Sequence, residues 1–254
     1  MDTDGEFTRL LEIVKRLRIE CPWDREQTHE SLRQGFIEET YEAIEAIDTG
    51  NWNELRSELG DVLLHVALQS VIAEERGEFT IEEVLRTINE KLIRRHPHIF
   101  GEQSSIDLTT QKRNWEKIKL SEGRHSVVEG VPKEMPALLR ALRLQEKASK
   151  VGFDWNKSEE VWKKIEEELH ELHEAVQRKE KKNISDEFGD VLFSLVNYAR
   201  FLHLDPEHAL RVTSDKFVRR FNYIEEKLRE EQKDIYATTL TELDTLWNQA
   251  KKQL

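Results

Sequence analysis

The chain has 254 residues, of which 35% are charged and 37% are hydrophobic, and its formal net charge is -12. So acidic a composition argues against a general nucleic-acid-binding surface, which needs basic stripes, and no apolar run is long enough for a membrane span. The single cysteine, Cys21, excludes an intramolecular disulfide, and the acidic N-terminus lacks a secretory segment, so we expect a cytoplasmic protein.

The apolar residues recur at helical spacing, and the five prolines fall at the edges of the periodic segments. In chain order this pattern predicts helices at about residues 28–48, 52–76, 80–95, 109–120, 137–149, 158–180, 184–203, 206–230 and 240–252. Thr80 and Glu83 form a capping-box pattern at the start of the third helix. Strand signals are nearly absent, so the predicted fold class is all-α.

Two acidic motifs occur once in each half of the chain. The block Glu38–Glu42 precedes the pair Glu58 and Asp61, and the block Glu167–Glu171 precedes the pair Glu187 and Asp190. In both halves the pair begins 16 positions after the last glutamate of the block. Basic pairs and a Trp-x-x-x-Lys motif follow in both halves, formed by Lys91, Arg95, Trp115 and Lys119, and by Lys216, Arg220, Trp247 and Lys251. We therefore predict two tandem repeats, residues 1–120 and 137–254, joined by a Gly/Pro-containing linker at 121–136.

The helix that carries each acidic pair is apolar around most of its circumference, so we expect it to be largely buried. Buried ionised carboxylates need basic side chains or a metal ion as partners. The candidate metal ligands are Glu39, Glu42, Glu58 and Asp61 in the first repeat and Glu168, Glu171, Glu187 and Asp190 in the second. An all-oxygen ligand set favours Mg²⁺, or Mn²⁺, over zinc.

Mg²⁺ held by carboxylates typically acts on phosphate substrates, and this gives the repeated basic residues a candidate role. Residues of each Lys–Arg pair are four apart, so they share a helix face and can hold phosphate oxygens. The alternative is an ordinary solvated basic face. Trp115 and Trp247 can stack on a nucleobase, although a single tryptophan at helical spacing is more often part of a core.

Taken together, the E-E-x-x-E block, the E-x-x-D pair, their duplication and the segment Cys21-Pro22-Trp23-Asp24 resemble the MazG family of nucleoside triphosphate pyrophosphohydrolases. The resemblance spans nearly the whole chain. It implies a helical bundle in each repeat, a tight homodimer, and Mg²⁺-dependent hydrolysis of NTPs and dNTPs at the α–β linkage to NMP and pyrophosphate. It also implies broad base tolerance and a role in clearing unwanted nucleotides.

The resemblance assigns metal binding to the eight carboxylates above, and substrate binding to the repeated Lys, Arg and Trp residues of both repeats. Glu38 or Glu167 is a hypothetical general base. Two alternatives remain at this point. Glu167-x-x-His170 resembles half of a di-iron signature, although Tyr41 replaces the histidine in the first repeat. A non-catalytic nucleotide-sensing or helical interaction module would keep the acidic stripe as a buried ion-pair network.

Overall fold

The computed structural model describes the backbone of residues 3–101 and 125–253. All regular structure in these two ranges is helical, which confirms the predicted all-α class. The described residues fall into two compact units, one within Met1–Ile106 and the other within Asp107–Leu254. The predicted helix at 109–120, together with Trp115 and Lys119, lies outside the described residues.

The N-terminal unit is built around a helical hairpin. Its described helices are α1 (Thr3–Glu20), α2 (Pro22–Glu26), α3 (Arg33–Thr49), α4 (Trp52–Glu75), α5 (Ile81–Arg95) and α6 (Pro97–Phe100). Helices α3 and α4 form the hairpin, and α1 and α5 pack against α4. The buried core cluster of this unit consists of Val14, Leu32, Ala67, Leu68, Val71 and Ile72. Helix α4 therefore carries most of the core as well as the acidic pair.

The C-terminal unit repeats this arrangement. Its described helices are α7 (Ala137–Ser149), α8 (Ser158–Arg178), α9 (Lys181–Phe201), α10 (Pro206–Glu230) and α11 (Leu240–Gln253), with a short 3-10 turn at Ile235–Ala237. Helices α8 and α9 form the hairpin, α7 and α10 pack against α9, and α11 packs against α10. Val161 and Ile165 from α8 and Val191 and Val196 from α9 are buried.

Local sequence signals set the ends of several helices. Thr80 accepts the backbone N–H of Glu83, whose carboxylate accepts the Thr80 N–H, so the predicted capping box is present. Each hairpin turns through one residue in the left-handed region, Gly50 (φ 67°) in the first unit and Lys179 (φ 57°) in the second. The shared turn brings the two acidic motifs of each repeat onto neighbouring helices.

Two predictions about helix bounds were wrong. The helix predicted from residue 28 begins at Arg33, because the Thr28 and Ser31 hydroxyls accept each other's backbone N–H and hold a turn. Helix α9 begins at Lys181, three residues before its predicted start. Helices α1 and α2 were not predicted at all.

The expectation that the acidic-pair helices are largely buried was also wrong within each unit. Leu59 and Leu63 of α4 are 55% and 41% exposed, and Leu192 and Leu195 of α9 are similarly exposed. Each helix packs against its neighbours on part of its circumference, and the described helices leave the rest of its apolar face exposed. None of the described helices is long and apolar enough to cross a membrane.

Candidate metal and nucleotide site

The first hairpin brings the N-terminal carboxylates together. Glu39 comes from α3, and Glu58 and Asp61 come from α4; one carboxylate oxygen of each lies within 4.8 Å of the others. Glu42, one turn after Glu39, lies outside this group of three, although its charge contributes to the raised pKa of Glu58. The structure therefore brings together three of the four predicted ligands of this repeat, and Glu58 is buried, with 7% of its surface exposed.

Electrostatics at this cluster favour the binding of a cation or a proton. Burial raises the pKa of Glu58 above its ordinary value, and the negative charges of Glu42, Asp61 and Glu39 raise it further. None of the described side chains forms an ion pair with these four carboxylates. A hard divalent cation would relieve both the desolvation and the mutual repulsion.

The second hairpin brings Glu168, Glu171 and Glu187 together with carboxylate oxygens within 4.8 Å of one another. Glu168 is buried, as Glu58 is. Asp190, predicted as the fourth ligand, lies outside this group of three, although it lines the same cavity as Glu168. The structure thus brings together three of the four predicted carboxylates of this repeat.

A lysine distinguishes the second cluster from the first. The Lys164 ammonium lies 2.8 Å from a carboxylate oxygen of both Glu167 and Glu168, and these hydrogen bonds raise the pKa of Lys164. Burial raises the pKa of Glu171, and the charges of Glu168 and Glu187 raise it further, while Lys164 lowers it. Sequence reasoning missed Lys164, although its position four residues before Glu168 places both on one helix face.

The equivalent position of the first repeat is occupied by glycine. With the acidic motifs superposed residue for residue, Gly35 aligns with Lys164 and His65 aligns with Ser194. A Cβ on Gly35 would lie 3.2 Å from the His65 ring, which stacks on Phe36 at 5.5 Å between centroids. Gly35 therefore leaves room for the His65 ring. The two repeats differ at both of these positions, which lie next to each other in the first repeat.

The predicted substrate-binding residues of the second repeat are partly assembled. The Arg220 guanidinium lies 5.5 Å and the Lys251 ammonium 6.0 Å from the centre of the Trp247 ring, which also contacts Phe217. Lys216 lies one turn before Arg220 on α10 and is exposed. In the first repeat Lys91 is exposed and Arg95 half-buried at the end of α5.

The two hypothetical general bases, Glu38 and Glu167, are not members of the carboxylate groups. Glu38 is exposed and accepts a hydrogen bond from Gln34 at 2.9 Å, while Glu167 is exposed and bonded to Lys164. His170 is exposed and lies 3.5 Å from Glu174. Among the described residues, the groups that could hold a metal ion consist of carboxylates alone. This donor chemistry suits Mg²⁺ or Mn²⁺ and does not match a di-iron site with histidine ligands.

Comparison with known proteins identifies a matching domain family and relatives that cover nearly the whole chain. The MazG nucleotide pyrophosphohydrolase domain matches residues 27–100 and 156–224, the segments that carry both hairpins. The nucleoside triphosphate pyrophosphohydrolase/pyrophosphatase MazG of Thermotoga maritima is 48% identical over 250 residues, covering 96% of this chain and 95% of that protein. The nucleoside triphosphate pyrophosphohydrolase of Escherichia coli K12 is 36% identical, with 98% of both chains covered.

A solved structure, a MazG-related protein from Thermotoga maritima, shares 29% identity and a TM-score of 0.41, covering 44% of this chain and 98% of that one. The two long matches and the domain match agree on the class of protein, which is a nucleoside triphosphate pyrophosphohydrolase. The chain belongs to the MazG nucleotide pyrophosphohydrolase family.

Proposed function

We propose that the chain hydrolyses NTPs and dNTPs at the α–β phosphoanhydride linkage in an Mg²⁺-dependent reaction that releases NMP and pyrophosphate. The observation that carries this proposal is the repeated cluster of carboxylates around a buried glutamate, Glu58 in one unit and Glu168 in the other. Such clusters need a cation, and a cation held by oxygen ligands keeps positions open for phosphate oxygens.

Each residue type has a distinct role in this proposal. Glu39, Glu42, Glu58 and Asp61, and Glu168, Glu171, Glu187 and Asp190, would hold Mg²⁺ or Mn²⁺. A divalent cation bound there supplies charge neutralisation of the phosphate chain and activation of water. Lys216 and Arg220, and Lys91 and Arg95, donate to phosphate oxygens. Glu38 or Glu167, outside the metal-binding groups, accepts the proton of the attacking water.

Nucleoside contacts are proposed at the tryptophans. Trp247, with the Arg220 and Lys251 cations beside its ring, offers an aromatic face next to phosphate-binding charges. Trp115 and Lys119 are the corresponding residues of the first repeat. Stacking on a π-face tolerates every base, which supports broad base use and a role in clearing unwanted nucleotides from the cytoplasmic pool.

The proposal includes a homodimer. Large apolar residues are exposed on both hairpins, among them Leu59 and Leu63 on α4 and Leu192, Phe193 and Leu195 on α9. Contiguous exposed apolar surface of this kind marks association sites in soluble proteins. A second copy of the chain would cover it without a different partner.

The test is incubation with a panel of NTPs and dNTPs, with Mg²⁺ or with EDTA, followed by separation of products by ion-exchange chromatography. We expect NMP and pyrophosphate to form with Mg²⁺ and not with EDTA. The double variant Glu58→Gln/Glu168→Gln should lose at least a hundredfold in kcat, whereas the exposed control Glu45→Gln should keep wild-type turnover. NDP and phosphate as products, or no turnover in any condition, would overturn the proposal.

A further inference from the structure

Lys147 is a buried lysine in the last turn of α7. It is 6% exposed, although lysine is almost never fully buried unless its charge has partners. Its ammonium donates to two backbone carbonyl oxygens, that of Val127 at 3.2 Å and that of Glu129 at 3.0 Å. A buried charge is costly unless hydrogen bonds compensate for it, so these contacts help to account for a lysine where an apolar residue would pack at lower cost.

The two carbonyls belong to residues 126–130, a non-helical segment before α7 that we call the strap. Within the strap, the Ser126 hydroxyl accepts the Val128 N–H at 3.3 Å, and the Glu129 N–H is donated to the Ser126 carbonyl at 3.2 Å. The Glu129 carboxylate accepts the Ser126 N–H at 3.3 Å. These bonds shape the turn, and the hydrogen bonds from Lys147 join it to the end of α7.

The strap contributes to the wall of a cavity beside the carboxylates. This cavity, of about 440 Å³, is lined in part by Glu168 and Asp190 and by the ion pair of Arg200 with Asp154. Val128 lines it from the strap, and its side chain is accessible, with 42% of the residue exposed. The carbonyls that Lys147 holds are those on either side of Val128 in the chain, so the anchored residue of the strap is the one that reaches the cavity.

The first repeat has a buried cation at the same position. With the acidic motifs superposed residue for residue, Arg18 aligns with Lys147, and the ends of α1 and α7 coincide. The Arg18 side chain is 9% exposed and pairs with Glu75 at 2.5 Å. Its guanidinium also donates to the backbone carbonyls of Asp24 and Gln27 at the end of α2. Each repeat thus holds a neighbouring stretch of backbone with a cation from this helix position, which favours a positioning role for both.

We infer that Lys147 is a positioning residue of the C-terminal site, which fixes the strap so that Val128 stays in the cavity wall; the inference rests on the proposed function. Lys147 is not a lining residue of the cavity and acts through the backbone of the strap. A substrate held at the carboxylates has the cavity next to it. If the strap leaves the wall, only the fraction of molecules with the strap in place binds at full strength, and the apparent affinity falls by that fraction.

Part of the segment that connects the repeats thereby acquires a function. Residues 126–130 lie within the expected linker, whereas the carboxylates come from the hairpin of α8 and α9. A change in the strap therefore alters the substrate affinity of the C-terminal site without altering any of its carboxylates. This separates the expected effect of Lys147, which is on KM, from that of a metal ligand, which is on kcat.

The test uses the full chain carrying Glu58→Gln as the parent, so that turnover reports the C-terminal cluster. Lys147→Met keeps an unbranched side chain and removes both hydrogen bonds to the strap. We expect its KM for ATP to rise about tenfold with kcat within about twofold of the parent. Lys147→Arg should keep the parent's KM, because Arg18 holds two carbonyls from the equivalent position. Lys133→Met, at an exposed lysine beyond the strap, is the matched control and should change neither value.

Hydrogen–deuterium exchange measures the strap directly and needs no substrate. The backbone amides of residues 126–129 should exchange at least about threefold faster in Lys147→Met than in the parent, because the segment opens more often without its two anchoring bonds. Lys147→Arg and Lys133→Met should exchange as the parent does. Unchanged exchange in Lys147→Met would overturn the anchoring role.

Val128→Ala tests the link between the strap and the substrate, and it does so even if Lys147→Met fails to fold. The substitution shortens the lining side chain and keeps the carbonyls that Lys147 binds, so the KM for ATP should rise about threefold while strap exchange stays normal. Added to Lys147→Met, it should raise KM little further, because the two residues act through one contact. Fully additive effects would show that Lys147 supports the site by another route.

The outcomes separate this inference from the proposed function. If the parent turns over NTPs but Val128→Ala leaves KM unchanged, the strap is not part of the substrate's surroundings and the inference is wrong. If the parent turns over no triphosphate, the proposed function fails. Calorimetry with the non-hydrolysable α,β-methylene-ATP then decides the inference: weaker binding by Val128→Ala and Lys147→Met than by the parent supports it, and equal binding overturns it.

Discussion

Replacing Glu58 with glutamine should change the stability of the N-terminal unit in opposite directions with and without metal. Burial and the charges of the neighbouring carboxylates raise the pKa of Glu58, and none of the described side chains forms an ion pair with it. In EDTA, Glu58→Gln removes a destabilising buried charge while keeping the shape of the side chain. The metal-free variant should therefore unfold at a higher temperature than the wild type.

In the presence of Mg²⁺ the order should reverse. A ligand that binds the folded state stabilises it by about 2.7 kcal/mol when its free concentration is 100-fold above Kd. For a unit of roughly 100 residues this corresponds to a rise in Tm of roughly 10 to 20 °C. Glu58→Gln removes a ligand from the N-terminal cluster, so the unit should lose most of this rise.

Thermal unfolding followed by circular dichroism, in EDTA and in a saturating series of MgCl₂ concentrations, measures both effects. The transition that loses its metal response in Glu58→Gln identifies the N-terminal unit. Glu45→Gln, an exposed change of the same chemistry on α3, should leave both the apo Tm and the Mg²⁺ response as in the wild type. A lower apo Tm, or a full Mg²⁺ response, in Glu58→Gln would refute the reasoning.

Three further outcomes are expected. Lys164→Met should lower the apo stability of the C-terminal unit by up to about 1 kcal/mol, because Glu167 and Glu168 lose their cation, and should tighten Mg²⁺ binding measured by calorimetry. In EDTA, Glu58 should contribute stability below its ordinary pKa of 4.5 and lose it as pH rises through the raised folded pKa. The Tm of Glu58→Gln should therefore exceed that of the wild type by an amount that grows as pH rises above 4.5 and levels off once the folded pKa is passed. Ile72→Ala, at a site 1% exposed, should lower the free energy of unfolding in urea by roughly 2–5 kcal/mol, and a smaller loss would place Ile72 outside the core.

The helix positions could be predicted because helical periodicity and capping depend on residues that are close together in the sequence. The bounds of α5, α7 and α10 agree with the prediction at most ends, and the Thr80–Glu83 capping box is formed. The grouping of Glu39, Glu58 and Asp61 likewise follows from spacing, because helices joined by a short turn place residues three and four apart on facing surfaces.

The features of the site that the sequence did not predict depend on tertiary contacts. The role of Lys164 becomes visible only when its ammonium meets Glu168, since a lysine four residues from a glutamate is common on any solvated helix. The pairing of Arg200 with Asp154 joins residues 46 apart in sequence. Hydrophobicity predicted the apolar faces of α4 and α9, but it does not show whether a neighbouring helix or a second chain covers them.

The hairpin turns offer a last prediction, because the two repeats perform the same turn with different residues. Gly50 and Lys179 both adopt positive φ, and both donate a backbone N–H to carbonyls of the preceding helix. The left-handed region costs a side chain of the L configuration about 1–2 kcal/mol, whereas glycine loses about 0.5–1 kcal/mol more backbone entropy on folding.

Lys179→Gly should therefore stabilise the C-terminal unit by about 0.5–1 kcal/mol, and Gly50→Ala should destabilise the N-terminal unit by about 1 kcal/mol. No atom lies within 4 Å of a Cβ built on Gly50, so its effect is conformational rather than steric. Urea unfolding measures both changes. Because the exposed Lys179 side chain makes no contact with the carboxylates, Lys179→Gly should leave Mg²⁺ affinity unchanged; an altered affinity would show that strain in this turn sets the spacing of Glu171 and Glu187.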